Sequence, residues 1–339
     1  MSNAPTLTGT APVPSLAVRT RDRLVTLAGL VALGMAGVVG FFAFDTDLAF
    51  LTRLISAALL AMSLDLVMGY CGVATLGHAA LYGAGAYAAG IAAVHGTQDP
   101  IAMLVIAAGA GALAGALSGI HILRAAGLTQ LVMSIAIVEL ASSLANKASV
   151  ITGGSDGLSG IVPAPLFGRF EFDLFGQTAY GLSVATLLLT FAALRGVVTS
   201  PFGLLCRGIR EDRLRASAIG ARTQAPVLAM YMISGIVAGL GGGLAAIATG
   251  VVGLDSLSFE RSASALVMVV LGGTGTLFGA LVGTFVFEVF QSVVSAQNPF
   301  HWLTLIGLLL IAVVLFLPGG LQSMAGRLSR ALRRGGRSP

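Results

Sequence analysis

Charge is scarce in this sequence. Asp, Glu, Lys and Arg make up 10% of its 339 residues, against roughly 25% in ordinary soluble domains. A chain so poor in charge cannot clothe a water-facing globule. Cysteine is nearly absent too: Cys71 and Cys206 are the two present, and their separation suggests neither a disulfide framework nor a metal-ligand pattern. Of the four histidines, none stands at metal spacing from another, so no metal site is expected. Walker A, GxSxG and HExxH motifs are missing. Nothing here hydrolyses nucleotide or cleaves a bond by a nameable motif, so the chain reads as a non-enzyme without a cofactor of its own. Any energy source must be a partner or an ion gradient.

Apolar residues and glycine fill that space. Hydrophobic residues reach 56% and mean hydropathy is +0.94, which defines an integral membrane protein. The 46 glycines are about twice the usual ~7%. They sit inside apolar runs, where small residues let helices approach closely. A pI near 9.8 therefore does not point to nucleic acid; the placement of the arginines carries more information.

The runs predict an all-α, polytopic protein. Residues 1–23 form a polar tail ending in Arg19, Arg21 and Arg23, and Leu24 to Phe44 is a 21-residue apolar run. At ~1.5 Å per residue it can cross a ~30 Å core. It ends in bulky Phe41, Phe42 and Phe44, unlike a cleavable signal. Further spans are expected over Leu48–Met68, Ile101–Leu123, Leu128–Ala145, Tyr180–Val198 and Val227–Ala248. Gly69–Gly90 is apolar but interrupted by glycines, a candidate broken or re-entrant segment. Residues 147–179 read as an external loop with turns. Ser262–Ala296 spans 35 residues, too long for one crossing, with natural breaks at Gly272, Gly273 and Gly275. Trp302–Leu317 is a last span within the 24–320 membrane domain, before a basic tail over 321–339.

Parity orients these segments. With two crossings in Ser262–Ala296 there are ten spans, and fifteen of the 19 basic residues fall on one side. The positive-inside rule makes that side cytoplasmic and places both termini there.

The chemistry-bearing residues fall into three groups. Gly111, Gly115 and Gly119, then Gly235, Gly239 and Gly243, then Gly275, Gly279 and Gly283 repeat every fourth position. Each series makes a groove on one helix face, for helix packing or, alternatively, for lining a path. The two glycine-rich breaks, one in each half of the chain, are a different matter. Non-helical backbone at membrane depth survives only when buried in protein or lining a cavity. That nominates Gly72, Thr75, Gly77, His78, Gly272, Gly273 and Gly275 as substrate-pathway residues, with His78 either a helix cross-link or a pore-facing group. Three acids lie in or near spans, Asp65, Glu139 and Glu288, and each is expected to face the bundle or a wet cavity, as a structural or a functional group. The third group is the basic insert RGIREDRLRASAIG, residues 207–220, which is either a positive-inside anchor or a docking element for a cytoplasmic partner.

Five stretches carry a family resemblance: LVMGYCGVATLGHAALYGAGAY (66–87), ITGGSDGLSGI (151–161), SPFGLLCRGIREDRLRASAIG (200–220), AGLGGGLAA (238–246) and MVVLGGTGTLFGALVG (268–283). In content and order they resemble the branched-chain amino acid ABC-importer permeases of the LivM type, within the LivH/LivM family. The resemblance implies a bacterial inner-membrane permease subunit working by alternating access. It implies a sister permease of LivH type, two cytoplasmic ATPases that use ATP, and a periplasmic binding protein. It also makes residues 200–224 a coupling loop, with Arg207, Arg210, Glu211, Asp212, Arg213, Ala216, Ala218 and Gly220 as its ATPase-coupling positions. The family commonly has an acid where Arg213 stands, and Gln-Leu-Ser where Val73, Ala74 and Thr75 stand. Similar permeases import urea, short amides or aromatic acids, so the solute stays open. An ion-coupled transporter is the alternative within transport; an intramembrane hydrolase lacks a motif, and a purely structural subunit would leave the two breaks unexplained.

Overall fold

The computed structural model describes residues 16–43, 47–172 and 176–297, with positions 304, 305, 307, 308, 311, 315, 320 and 321. Its helices in chain order are α1 (Leu16–Ala43), α2 (Leu48–Asp65), α3 (His78–His95), α4 (Pro100–Ile122), α5 (Leu128–Lys147), α6 (Ser149–Thr152), α7 (Gln177–Thr199), α8 (Pro201–Glu211), α9 (Arg213–Ala218), α10 (Gln224–Thr249), α11 (Phe259–Gly272) and α12 (Leu277–Gln297). Two-residue strands, β1 (Leu158–Ser159) and β2 (Val251–Val252), pair antiparallel. They pin the loop after α5 to the loop after α10. The architecture is all-α and polytopic.

Among the described residues, seven helices are long and apolar enough to cross a membrane: α1, α2 with its continuation to Tyr70, α4, α5, α7, α10 and α12. The other three of the ten expected crossings fall on α3, α11 and residues 302–317. The 14 residues of α11 rise only about 21 Å, short of the ~30 Å core. Most of 302–317 lies outside the described residues, as do Asp45, Asp173 and all of 321–339 except Leu321.

The bundle is organised around α2 and α10. Of their spanning windows, 78% and 67% of residues are buried, against 11% for α1 and 22% for α5. The glycine series explain how α10 packs so deeply. A Cβ on Gly111 of α4 would strike the carbonyl oxygen of Gly235 on α10, and one on Gly235 would strike that of Gly111. Gly239 presses in the same way on Ala107. Two series thus meet each other as one seam, backbone against backbone. In the third, Gly279 and Gly283 hold α12 against Gly272 and Met268 of α11.

Several boundaries differ from the sequence expectation. Helix α1 begins at Leu16 and includes Arg19, Arg21 and Arg23, because Leu, Ala and Arg are good helix formers. The interruption expected across Gly69–Gly90 is confined to its first part. Gly83, Gly85 and Gly90 lie inside a continuous α3, where they admit Leu257, the backbone of Gly239 and the side chains of Leu158 and Ile161. Glu139 lies on the exposed face of α5, not toward the bundle. The described residues leave that face of α5 uncovered.

Candidate functional site

Two interruptions and one amphipathic helix converge at one end of the bundle. After Asp65, α2 widens into a π turn over Leu66–Tyr70. Gly72 follows with φ of 71°, and the chain stays irregular until α3. A π turn carries an extra residue per turn and often marks a functional position. The second interruption separates α11 from α12. There Gly273 and Gly275 have φ of 106° and 83°, a region glycine enters without a steric penalty. The Thr276 hydroxyl bonds back to the Gly273 carbonyl at 3.1 Å.

The two interruptions touch. Asp65, fully buried at the end of α2, accepts a hydrogen bond from the Gly275 backbone N–H at 2.6 Å. A Cβ on Gly69 would overlap both the Asp65 carboxylate and the Gly275 backbone. The pair is therefore a close approach that only glycine at position 69 permits. By sequence alone Asp65 is a buried acid without a partner; its partner lies 210 positions away, beyond any local signal.

Helix α8 grips this junction. Pro201 occupies its first turn and the Ser200 side chain caps it, accepting from Gly203 N at 3.3 Å. Gly203, Cys206 and Ile209 face inward at every third position, leaving arginines on the flanks. The Arg210 guanidinium donates to the Gly69 carbonyl, and its aliphatic stem covers Gly72. Arg207 lies over the Tyr70 ring, 4.8 Å from its centroid. Cys206, far from Cys71 in sequence, is brought beside it, and both thiols are buried.

The remaining coupling candidates divide by role. Asp212 caps α9, accepting from Arg215 N at 2.8 Å, and pairs with the Arg215 side chain at 3.4 Å. Gly220, with φ of 86°, ends α9. The bonds Gly220 N to Ser217 O and Ala221 N to Ala216 O form a Schellman close. Ala216 is buried, whereas Glu211, Arg213 and Ala218 are exposed. So are Leu214 and Ile219, each 82% accessible.

Thr75, Gly77 and His78 lie deeper. The Thr75 hydroxyl meets the Tyr231 hydroxyl at 3.2 Å and accepts from Gly77 N at 3.0 Å. Leu76 N donates to Ser134 Oγ at 2.9 Å. His78 is fully buried, its Nε2 2.7 Å from Ser234 Oγ. Ser234 gives its one proton to the Ser63 carbonyl at 2.8 Å, so the His78 Nε2–H is the donor to Ser234 Oγ. Its Nδ1 has no partner among the described residues. This polar thread ties α2, α3, α5 and α10 together just beyond the first interruption. Gly272 and Gly273 are buried, against α12 and Gly320 respectively. The sequence reading missed Ser63, Tyr70, Tyr231 and Ser234, whose residue types are ordinary in membrane helices.

A polytopic bundle with interrupted helices and a basic amphipathic lever at one end has the build of a membrane transport permease. The chain belongs to the family described as branched-chain amino acid transport system / permease component, which it matches over residues 48–314. That family is one of transport permeases, not of enzymes. Over 92% of its length the chain is 29% identical to the high-affinity branched-chain amino acid transport system permease protein LivM of Escherichia coli K12, covering 78% of that protein. It is 26% identical to LivH of the same organism, over 78% of this chain and 90% of the relative. It is also 25% identical to BraD of Pseudomonas aeruginosa, over the same shares. No solved structure matches it.

Proposed function

We propose that this chain is a permease subunit of an ABC importer in a bacterial inner membrane, moving branched-chain amino acids or a related small polar solute by ATP-driven alternating access. The observation that carries the coupling is the placement of Arg210: one side chain on a surface helix holds the first interruption and lies against the second. Displacement of α8 by an ATPase that hydrolyses ATP would thus reach both interrupted helices through one rigid connection. The exposed Leu214 and Ile219, with Glu211 and Arg213 beside them, suit such a partner.

A sister permease of LivH type fits the outer face of α5. Glu139 lies mid-helix on that face, and an acid facing lipid costs about 2.5–3.5 kcal/mol on insertion scales. A second subunit would cover it. A periplasmic binding protein completes the assembly, and both termini of this chain lie in the cytoplasm. In this reading Gly72, Thr75, Gly77, His78, Gly272, Gly273 and Gly275 belong to the moving segments that open and close the path.

The test is reconstitution of the chain with its sister permease, ATPases and binding protein in proteoliposomes. ATP trapped on the ATPase side is expected to drive accumulation of labelled leucine, isoleucine or valine. Urea, acetamide and benzoate, run in parallel, identify a different cargo. Uptake that follows an imposed proton or sodium gradient without ATP would overturn the reading in favour of a secondary transporter.

A further inference from the structure

A second polar site lies at the opposite end of the bundle from α8. Arg53 stands 12 positions before Asp65 on α2, about 18 Å along the helix axis. Glu288 lies a similar distance beyond Gly275 on α12. Between them and the α10–α11 connection is a cavity of about 360 Å³, whose charged and amide lining comes from Arg53, Asp255, Glu260, Arg261, Glu288 and Gln291. That volume falls in the ~300–1,000 Å³ range of small-molecule sites.

The charges there are of both signs and incompletely matched. Arg261 is committed: it bonds Asp255 at 3.0 Å and its guanidinium lies 5.5 Å from the centre of the Tyr82 ring. Arg53 rests on the Phe50 ring but makes no such bond to an acid among the described residues. It and Glu288 stand 4.0 Å apart, an ion pair too long for a direct hydrogen bond. The Glu288 side chain is 11% exposed and that of Arg53 61%, so a buried anion sits behind an accessible cation at the mouth. Ionisable residues inside spans are costly and mark functional positions with a named partner.

We infer that this cavity is a binding site for the zwitterionic head of an α-amino acid, its carboxylate on Arg53 and its ammonium on Glu288. The chemistry favours a zwitterion over other solutes. Parting Arg53 from Glu288 removes the larger of the two cationic influences on a buried carboxylate and leaves it only Arg261, which is bonded to Asp255; that is unfavourable unless the entering molecule brings one charge for each. A zwitterion does so with net charge unchanged and replaces one long ion pair with two charge-assisted hydrogen bonds. An uncharged amide cannot, and an anion or cation alone satisfies one partner and strands the other. The inference rests on the transport reading above for its ligand class, while its geometry is independent of the ATPase.

The experiment uses the assembled transporter in right-side-out vesicles, without binding protein, carrying Ser264→Cys. Ser264 lines the cavity, and Cys71 and Cys206 are buried. A membrane-impermeant maleimide added outside reads access to position 264. With leucine at about ten times its Kd, labelling is expected to slow about tenfold, the 1 + [L]/Kd of a single site. Leucinamide and 4-methylpentanoate, each lacking one charge, are expected to leave the rate unchanged. Glu288→Gln is expected to abolish protection while the unprotected rate stays the same, and Arg53→Gln, at an exposed position, gives the same result by an independent route. No slowing by leucine, equal slowing by all three compounds, or undiminished protection in both variants overturns the site. Leucine-specific protection without ATP-dependent uptake would instead sink the transport reading and leave the site standing.

Discussion

Arg210 on α8 donates a hydrogen bond to the backbone carbonyl of Gly69, inside the π turn that ends the second helix. Gly69 lies in the last turn, which ends at Tyr70, where helix carbonyls have no intrahelical partner, and a guanidinium supplies a donor without borrowing one from the helix. Arg207 over Tyr70 and Cys206 beside Cys71 also hold α8 to this turn, but Arg210 reaches the second interruption as well, with its guanidinium against Gly275. Arg210→Ala is therefore expected to remove a charge-assisted bond of roughly 1.5–3 kcal/mol and to lower ATP-driven uptake about tenfold. Membrane insertion and ATP hydrolysis by the assembled transporter are expected to continue. Arg210→Lys restores the charge but not the fork and should recover only part. Parallel uptake and hydrolysis assays in proteoliposomes check this; uptake equal to wild type in Arg210→Ala removes α8 from the coupling path.

The seam between α4 and α10 makes a sharper test of packing. Gly235 lies with its α-carbon facing the Gly111 carbonyl, so Gly235→Ala forces two backbones apart. Overpacking of this kind costs about 1–3 kcal/mol. Gly109, two positions from Gly111 on the same helix, has nothing within 4 Å of the point that a methyl group there would occupy. Gly109→Ala is expected to be neutral, or stabilising by up to about 1 kcal/mol from helix propensity. Thermal unfolding in detergent, followed for both variants, separates a packing glycine from a merely permitted one.

Much of this arrangement was legible in the residues. Apolar run lengths gave α4, α5, α7 and α10 to within a few positions, since span length is imposed by the bilayer. Gly273 and Gly275 marked the second break because positive φ selects glycine. What could not be read was pairing across the chain. Nothing near Asp65 points to Gly275, and nothing near Glu288 points to Arg53. The same limit explains the over-long first break. Gly83, Gly85 and Gly90 look like interruptions until the surfaces they admit are seen.

Asp212 changes how the proposed coupling loop should be probed. Its side chain caps α9, so a double change of Glu211 and Asp212 to Ala would confuse lost charge with a lost cap. Asp212→Asn keeps the cap and removes the charge, because Asn is as good an N-cap as Asp. It is expected to retain uptake and stability within about 0.5 kcal/mol. Asp212→Ala is expected to lose about 1 kcal/mol. Glu211→Ala, which disturbs no cap among the described residues, is expected to lower uptake without altering the unfolding temperature. Uptake lost in Asp212→Asn at unchanged stability would mean that the carboxylate itself is read by the partner.

Orientation can be measured from both ends of the same bundle. The basic loop with Arg207, Arg210, Arg213, Arg215 and Arg222 is the strongest positive-inside signal among the described residues, and short basic loops stay in the cytoplasm. Ser217 is exposed on α9, so Ser217→Cys is expected to react with an impermeant maleimide in inside-out vesicles and to be silent in right-side-out ones. Ser264→Cys, beside the far cavity, is expected to show the opposite pattern. The two residues lie at opposite ends of helices joined by α10 and the α10–α11 connection, so their accessibilities must be reciprocal if α10 crosses the membrane once. Labelling of both positions from the same side would mean that α10 does not cross, and would remove the cytoplasmic assignment of α8 with it.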